Sequence, residues 1–159
     1  DDVMIARPSV LAQLIAVHEE RGGSVVALEQ VSPEETSRYG IVAAEEVEPG
    51  VYRIRDMVEK PAPGKAPSNL AIMGRYILSP SIFPILYGQQ AGAGGEIQLT
   101  DGIRTLLGRE PVWGLVFKGK RFDCGTQPGW LSANVQLAMQ FPELREVVLR
   151  AVEQTEQKS

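Results

Sequence analysis

Along the chain the spacing of apolar positions switches between helical and strand-like, and each switch marks a predicted element. Asp1-Asp2-Val3-Met4-Ile5 reads as the end of a strand and the loop after it. Over 9–21, Val10, Leu11, Leu14, Ile15 and His18 fall on one helical face, and Gly22-Gly23 stops the helix. The Val-rich run 24–29 predicts a buried strand. Ser32-Pro33-Glu34-Glu35 opens a helical turn with proline at its first position. Strands follow at 39–43 and 51–59, separated by an acidic loop at 45–50 with a Pro-Gly turn, and Pro61 ends the pairing of the second. Prolines and a glycine make 62–67 an irregular connection, after which 69–78 is again a strand. A helix is predicted over 79–87, with Ser79 as its cap and Pro80 just inside. A flexible loop at 88–95 leads to a helix over 96–107 whose Ile97, Ile103, Leu106 and Leu107 face inward. The apolar strand 112–117, a turn at Lys118-Gly119-Lys120 and two helices at 127–140 and 142–157 complete the chain.

Strands alternating with helices predict an α/β sheet covered on both faces. The hairpin-like spacing between 39 and 59 makes that sheet mixed rather than purely parallel. At 159 residues with 43% apolar content, the chain is long enough for one domain with a real core. The net charge of −4 argues against a general nucleic-acid binder, whose footprint is basic. It leaves room for a small phosphorylated ligand held by one or two basic side chains. One cysteine permits no intrachain disulfide, which fits a reducing, cytoplasmic compartment. No apolar run is long enough to span a bilayer, so no membrane partner is expected. The chain opens without Met on a strand with an acidic end, and such strands sit inside larger α/β sheets. Residues upstream are therefore expected.

Four stretches could carry chemistry. Val58-Glu59-Lys60-Pro61 sets a carboxylate beside an ammonium where a strand stops. Adjacent strand residues point to opposite faces, so both reach one ligand only if the strand ends or bends there. The carboxylate can accept from two sugar hydroxyls, and the ammonium suits a phosphate oxygen. The same tetrapeptide can equally be a surface ion pair before a proline. Asp123 precedes Cys124-Gly125-Thr126, where it is either a hard-cation ligand or an Asx turn before a helix. Asp1-Asp2 offers a second carboxylate of the same kind, or an exposed chain start. Gly40 and Gly74 each read as a close backbone approach or as a bulge. Cys124 reads as a packed thiol and His18, the only histidine, as a packed side chain. The run Ala91-Gly92-Ala93-Gly94-Gly95 lacks the lysine of a phosphate loop and reads as a connector.

Together with Pro67-Ser68-Asn69-Leu70-Ala71, Gly74-Arg75-Tyr76, Gly95-Glu96-Ile97-Gln98-Leu99-Thr100-Asp101 and Asp123-Cys124-Gly125, the Glu-Lys-Pro motif carries a resemblance. In that order these motifs resemble the bacterial UTP–glucose-1-phosphate uridylyltransferases, or UDP-glucose pyrophosphorylases, over essentially the whole chain. The resemblance implies a mixed, mostly parallel Rossmann-like sheet of the sugar nucleotidyltransferase, glycosyltransferase-A-like type, in three α/β/α layers. It divides the chain into a sugar-phosphate- and metal-binding part, 1–126, and C-terminal helices, 127–159. It implies that UTP and glucose 1-phosphate form UDP-glucose and pyrophosphate with Mg²⁺ as cofactor. Asp1 and Asp123 would hold the metal, Lys60 the sugar phosphate and Glu59 the glucose hydroxyls. Gly40 would make a backbone contact to the sugar, and Ile72 and Tyr76 would line its pocket. Lys60 and Asp123 are the catalytic candidates. A homo-oligomer, dimer or tetramer, is expected on the same grounds. The family's Gly-rich loop carrying Arg and Lys, of the form G-x-G-T-R-x-x-P-x-T-K, is absent, so the N-terminal nucleotide-binding half is not visible. This piece alone is expected to turn over slowly or not at all. Two alternatives stay open: a thymidylyl- or adenylyltransferase on the same sugar phosphate, and a non-catalytic sugar-nucleotide-binding regulator.

Overall fold

The computed structural model describes residues 2–90 and 95–156. Seven strands and five α-helices follow in the order β1 (Asp2–Ile5), α1 (Val10–Arg21), β2 (Ser24–Gln30), β3 (Gly40–Glu48), β4 (Val51–Glu59), β5 (Leu70–Ile77), α2 (Ile82–Gly88), α3 (Leu99–Leu106), β6 (Val112–Val116), β7 (Lys120–Asp123), α4 (Gln127–Ala138) and α5 (Pro142–Glu156). A 3-10 helix, Pro33–Arg38, joins β2 to β3. The chain divides into two compact units, one of residues 6–118 and one made of β1 with the segment from Gly119 onward.

In the unit of residues 6–118, strands hydrogen-bond in the order β2-β5-β3-β4-β6, and β6 closes the sheet onto β2. The sheet is mixed, as its hairpin spacing predicted. The expected predominance of parallel pairing is not found in this chain: among the described pairings only β2–β6 is parallel. The cause is local. The Pro49-Gly50 turn folds β4 back along β3, and β5 then runs antiparallel to both β2 and β3. Pairing also carries β3 to Glu48, through the stretch expected as an acidic loop. Ala43 faces Asp56 and Ala44 faces Ile54, so Arg55 is an extra residue in β4. That bulge lets Ile54 and Met57, three residues apart, both be buried.

Helices pack on this sheet through narrower stripes than periodicity alone defines. Ser9 caps α1 by accepting the Ala12 N–H at 3.2 Å. Its buried residues are Val10, Leu14 and Val17, whereas Leu11 and Ile15 are exposed. His18, expected to be packed, is also exposed, with Nδ1 2.7 Å from the Gly23 carbonyl oxygen. Helix α3 starts at Leu99 rather than at 96, and Ile97 lies before it, exposed. Ile103 and Leu106 of α3 are fully buried in the same core as Ile82 and Ile85 of α2.

In the other unit β1 and β7 form an antiparallel pair, with Asp2 opposite Asp123 and Val3 opposite Phe122. Strand β7 falls where the sequence suggested only a turn leading to the Asp123 segment. Helices α4 and α5 follow, broken at Phe141-Pro142 as expected. Ala91–Gly94 of the glycine-rich connector lie outside the described residues.

Candidate functional site

Strand register builds the first part of the site. Gly40, first in β3, sits opposite Glu59, last in β4, and Ile41 pairs with Ala71 of β5, beside Ile72. From α3, the Thr100 hydroxyl donates to Glu59 Oε2 at 2.6 Å. A Cβ on residue 40 would come 3.0 Å from Glu59 Oε2, 3.2 Å from Thr100 Oγ1 and 3.3 Å from Ile72 Cδ1. Gly40 therefore serves close approach, since its pairing register is regular. Gly74 is the opposite case: its φ of +59° coincides with a register irregularity between β2 and β5, and a Cβ there would meet nothing within 4 Å.

Lys60 resolves the alternation problem posed by adjacent Glu and Lys. Its φ is +43°, in the left-handed region, and its N–H donates to the Tyr39 carbonyl at 3.1 Å. The strand's alternation is broken at that residue, at a typical cost of about 1–2 kcal/mol for a side-chain-bearing residue. Strain held in this way is common where function over-determines geometry. The Lys60 side chain is exposed and has no hydrogen-bond or ion-pair partner among the described residues. Burial, and secondarily the negative charge of Glu59, raise the Tyr76 phenol above its ordinary pKa. Gly40, Glu59, Ile72 and Thr100 thus make one contact group, and Tyr76 feels the charge of Glu59. The ammonium of Lys60 leaves the chain one residue later.

Asp123 belongs to the other unit. It ends β7, and its Oδ1 accepts the Gly125 N–H at 3.0 Å, forming the Asx turn foreseen as one reading. Thr126 then caps α4 by accepting the Gly129 N–H at 3.2 Å. Helix α4 comes so close that a Cβ on residue 129 would lie 1.9 Å from the Asp123 carbonyl oxygen. Across the strand pair, Asp2 accepts from Arg121 at 2.9 Å. An ionised carboxylate engaged in an Asx turn keeps further lone pairs, and Mg²⁺ needs only one or two protein carboxylates alongside phosphate oxygens. Asp123 fits that demand as one ligand. Among the described residues no group of three or more His, Cys, Asp and Glu could hold a metal. Asp1, the expected second ligand, lies outside the described residues.

Two residues at these places were not found by sequence reasoning. Thr100 was read only as part of a family signature. Its signal was a hydroxyl in the first turn of a helix, on the side of the apolar Ile103 three residues later. Gly129 had a similar signal, since a glycine inside the first helical turn weakens the helix without a packing reason. Cys124 is half-buried, its thiol directed at the Phe122 carbonyl oxygen.

The sequence matches the family model for nucleotidyl transferases over residues 1–140. A UTP–glucose-1-phosphate uridylyltransferase of Bacillus subtilis is 44% identical over 153 residues, covering 96% of this chain and 52% of the relative. One from Pseudomonas aeruginosa is 46% identical over 125 residues, covering 79% of this chain and 45% of the relative. Among solved structures, a UDP-glucose pyrophosphorylase complexed with UDP-glucose superposes with a TM-score of 0.84 at 45% identity, covering 88% of this chain and 54% of that one. The chain spans about half the length of the curated relatives it matches.

Proposed function

The chain belongs to the nucleotidyl transferase family, and from that premise we propose that the full-length protein transfers a uridylyl group from UTP to glucose 1-phosphate, releasing pyrophosphate and forming UDP-glucose. The observation that carries the reading is the grouping of Gly40, Glu59, Ile72 and Thr100, with Lys60 emerging beside it from a left-handed turn. Such a place offers an anchored acceptor for sugar hydroxyls next to a cation for the sugar's phosphate. Glu59 binds the glucose hydroxyls, Gly40 approaches the sugar through its backbone, and Ile72 and Tyr76 line the pocket.

In the reaction an oxygen of the sugar phosphate attacks the α-phosphorus of UTP. A P–O bond forms there as the bond to pyrophosphate breaks. Two anions must meet, so charge neutralisation is the main demand, and Lys60 meets part of it at the sugar phosphate. The nucleophile is already ionised near neutral pH, so no general base is required, consistent with a chain whose one histidine is exposed and bound to a carbonyl group. Asp123, with Asp1, would hold Mg²⁺, which when bound supplies charge stabilisation at phosphate oxygens. In this reading residues 1–126 supply the sugar-phosphate and metal part, and the C-terminal part from 127 onward carries the helices α4 and α5. In the complete domain the sheet gains its remaining parallel strands within a three-layer α/β/α arrangement. The protein works in the cytoplasm on small molecules, without nucleic acid or membrane, as a homodimer or homotetramer. No helix among the described residues is long and apolar enough to cross a membrane.

The test is pyrophosphate release by the complete gene product with glucose 1-phosphate and Mg²⁺, offered UTP, dTTP or ATP in parallel. Fast release with UTP alone supports the reading. Release with dTTP or ATP instead reassigns the nucleotide. No release with any of them, from protein of verified intact mass, leaves a non-catalytic binding protein.

A further inference from the structure

Threonine in the first turn of a helix usually spends its hydroxyl locally, on its own cap or on a carbonyl one turn back. Thr100 does neither. It is 8% exposed, and its hydroxyl crosses 41 residues of sequence to donate to Glu59 Oε2 at 2.6 Å, short enough for a charge-assisted bond. No other hydrogen bond reaches the Glu59 carboxylate among the described residues. One oxygen is therefore tied to α3, and the other keeps its acceptor capacity for a ligand. The space for this arrangement comes from Gly40, where a Cβ would press on both bonded oxygen atoms at 3.0 and 3.2 Å.

We propose that Thr100 is a positioning residue that sets the orientation of the Glu59 carboxylate and thereby the selectivity for the sugar phosphate. This rests on the reading of Glu59 as the sugar-binding carboxylate. The physical reason is that epimeric hexose phosphates differ only in where one hydroxyl points. A carboxylate free to swivel accepts from either arrangement. One pinned through Oε2 presents a fixed lone-pair direction, and a misplaced hydroxyl is left unpaired on binding. The Thr100–Glu59–Gly40 contact is then a specificity element built behind the carboxylate.

The test uses the full-length protein and steady-state kinetics with glucose 1-phosphate and galactose 1-phosphate. Thr100→Val keeps the shape and removes the donor. It should raise KM for glucose 1-phosphate about tenfold, leave KM for UTP unchanged, hold kcat within about threefold, and narrow the preference for glucose over galactose. Thr100→Ser restores the donor and should bring KM back to within about twofold of wild type. In a Glu59→Ala background, Thr100→Val should change KM by less than about twofold, because the partner is gone. If the valine variant does not fold, Thr100→Ala supplies the same comparison against serine. An active wild type whose KM and sugar preference are indifferent to Thr100→Val overturns the inference. So does an equal loss in valine and serine, or a loss of undiminished size in the Glu59→Ala background. A wild-type protein that turns over no sugar phosphate with any nucleotide is a different result: it removes the proposed function and this inference with it.

Discussion

Lys60 is the one described non-glycine residue with a positive φ, and it is also the cation on which the proposed chemistry leans. The two properties can be separated by substitution. Lys60→Ala keeps the backbone strain and loses the charge, while Lys60→Gly loses both. In the proposed reaction, turnover by the full-length protein should fall more than about 100-fold in each, the typical cost of losing a preorganised electrostatic partner. Thermal stability should be higher for glycine than for alanine, because glycine adopts the left-handed conformation without penalty. Equal melting temperatures would show that the left-handed backbone costs nothing here. Asp123→Ala should match the loss of turnover, and a change under about threefold in either would remove that residue from the mechanism. At this scale the sequence names Glu59, Lys60 and Asp123 as candidates by their chemistry alone. It does not name the left-handed turn at Lys60, since lysine has no local preference for it.

Helix α3 carries Thr100 and is tied to β4 a turn further on. Arg104 donates from Nε and Nη2 to both oxygens of Asp56, at 2.6 and 3.1 Å. The Arg104 hydrogen bond, more than the charge itself, lowers the Asp56 pKa against an opposing desolvation. A carboxyl depressed in the folded state stabilises the fold above its unfolded pKa, and that contribution is lost as pH falls through the folded value. Asp56→Asn should therefore be less stable than wild type at neutral pH, by a small margin for so exposed a pair. The difference should shrink below about pH 4, and acid-unfolding curves of the two proteins would show it. Helix α4 offers a sharper test. Gly129→Ala would drive a Cβ into the Asp123 carbonyl, whose oxygen is backbone and cannot rotate away. It should cost about 1–3 kcal/mol, and it should lower turnover although Gly129 contacts no reacting group. Unchanged stability and rate would mean α4 can slide without moving Asp123. Periodicity located the helices but set two starts too early, at Ser79 and Glu96 where α2 begins at Ile82 and α3 at Leu99, and it only partly identified the buried faces. Leu11, Ile15 and Ile97 are exposed because the neighbouring elements, absent from any local window, decide which edge of an apolar stripe is covered.

The unit formed by residues 6–118 owes its cohesion to a sheet that closes on itself and to a core it shares with its helices, containing Leu28, Ile54, Met57 and Ile103. Met57 is fully buried two residues before Glu59, so the strand that ends in Glu59 is anchored in the main core. Met57→Ala should destabilise by about 2–5 kcal/mol. Its urea midpoint should fall with the m-value unchanged if the unit still unfolds in one step. A midpoint shift corresponding to less than about 1 kcal/mol would show that the site can collapse around the missing side chain.

What the sequence determined by itself was the order of elements apart from β7, the mixed character of the sheet and the residues whose chemistry suits a sugar phosphate. These are carried by short-range signals: apolar spacing, the Pro-Gly turn of the β3–β4 hairpin, and a Glu-Lys-Pro strand end. The tertiary structure alone decided the register that sets Gly40 against Glu59, the bulge at Arg55, and the reach of Thr100 across 41 residues to the Glu59 carboxylate. It also decided that most pairing among the described residues is antiparallel. Register and long-range hydrogen bonds depend on which surfaces meet after the chain has folded back on itself. No local spacing encodes that meeting, because a one-residue slip would preserve the local pattern while placing a different side chain opposite each position.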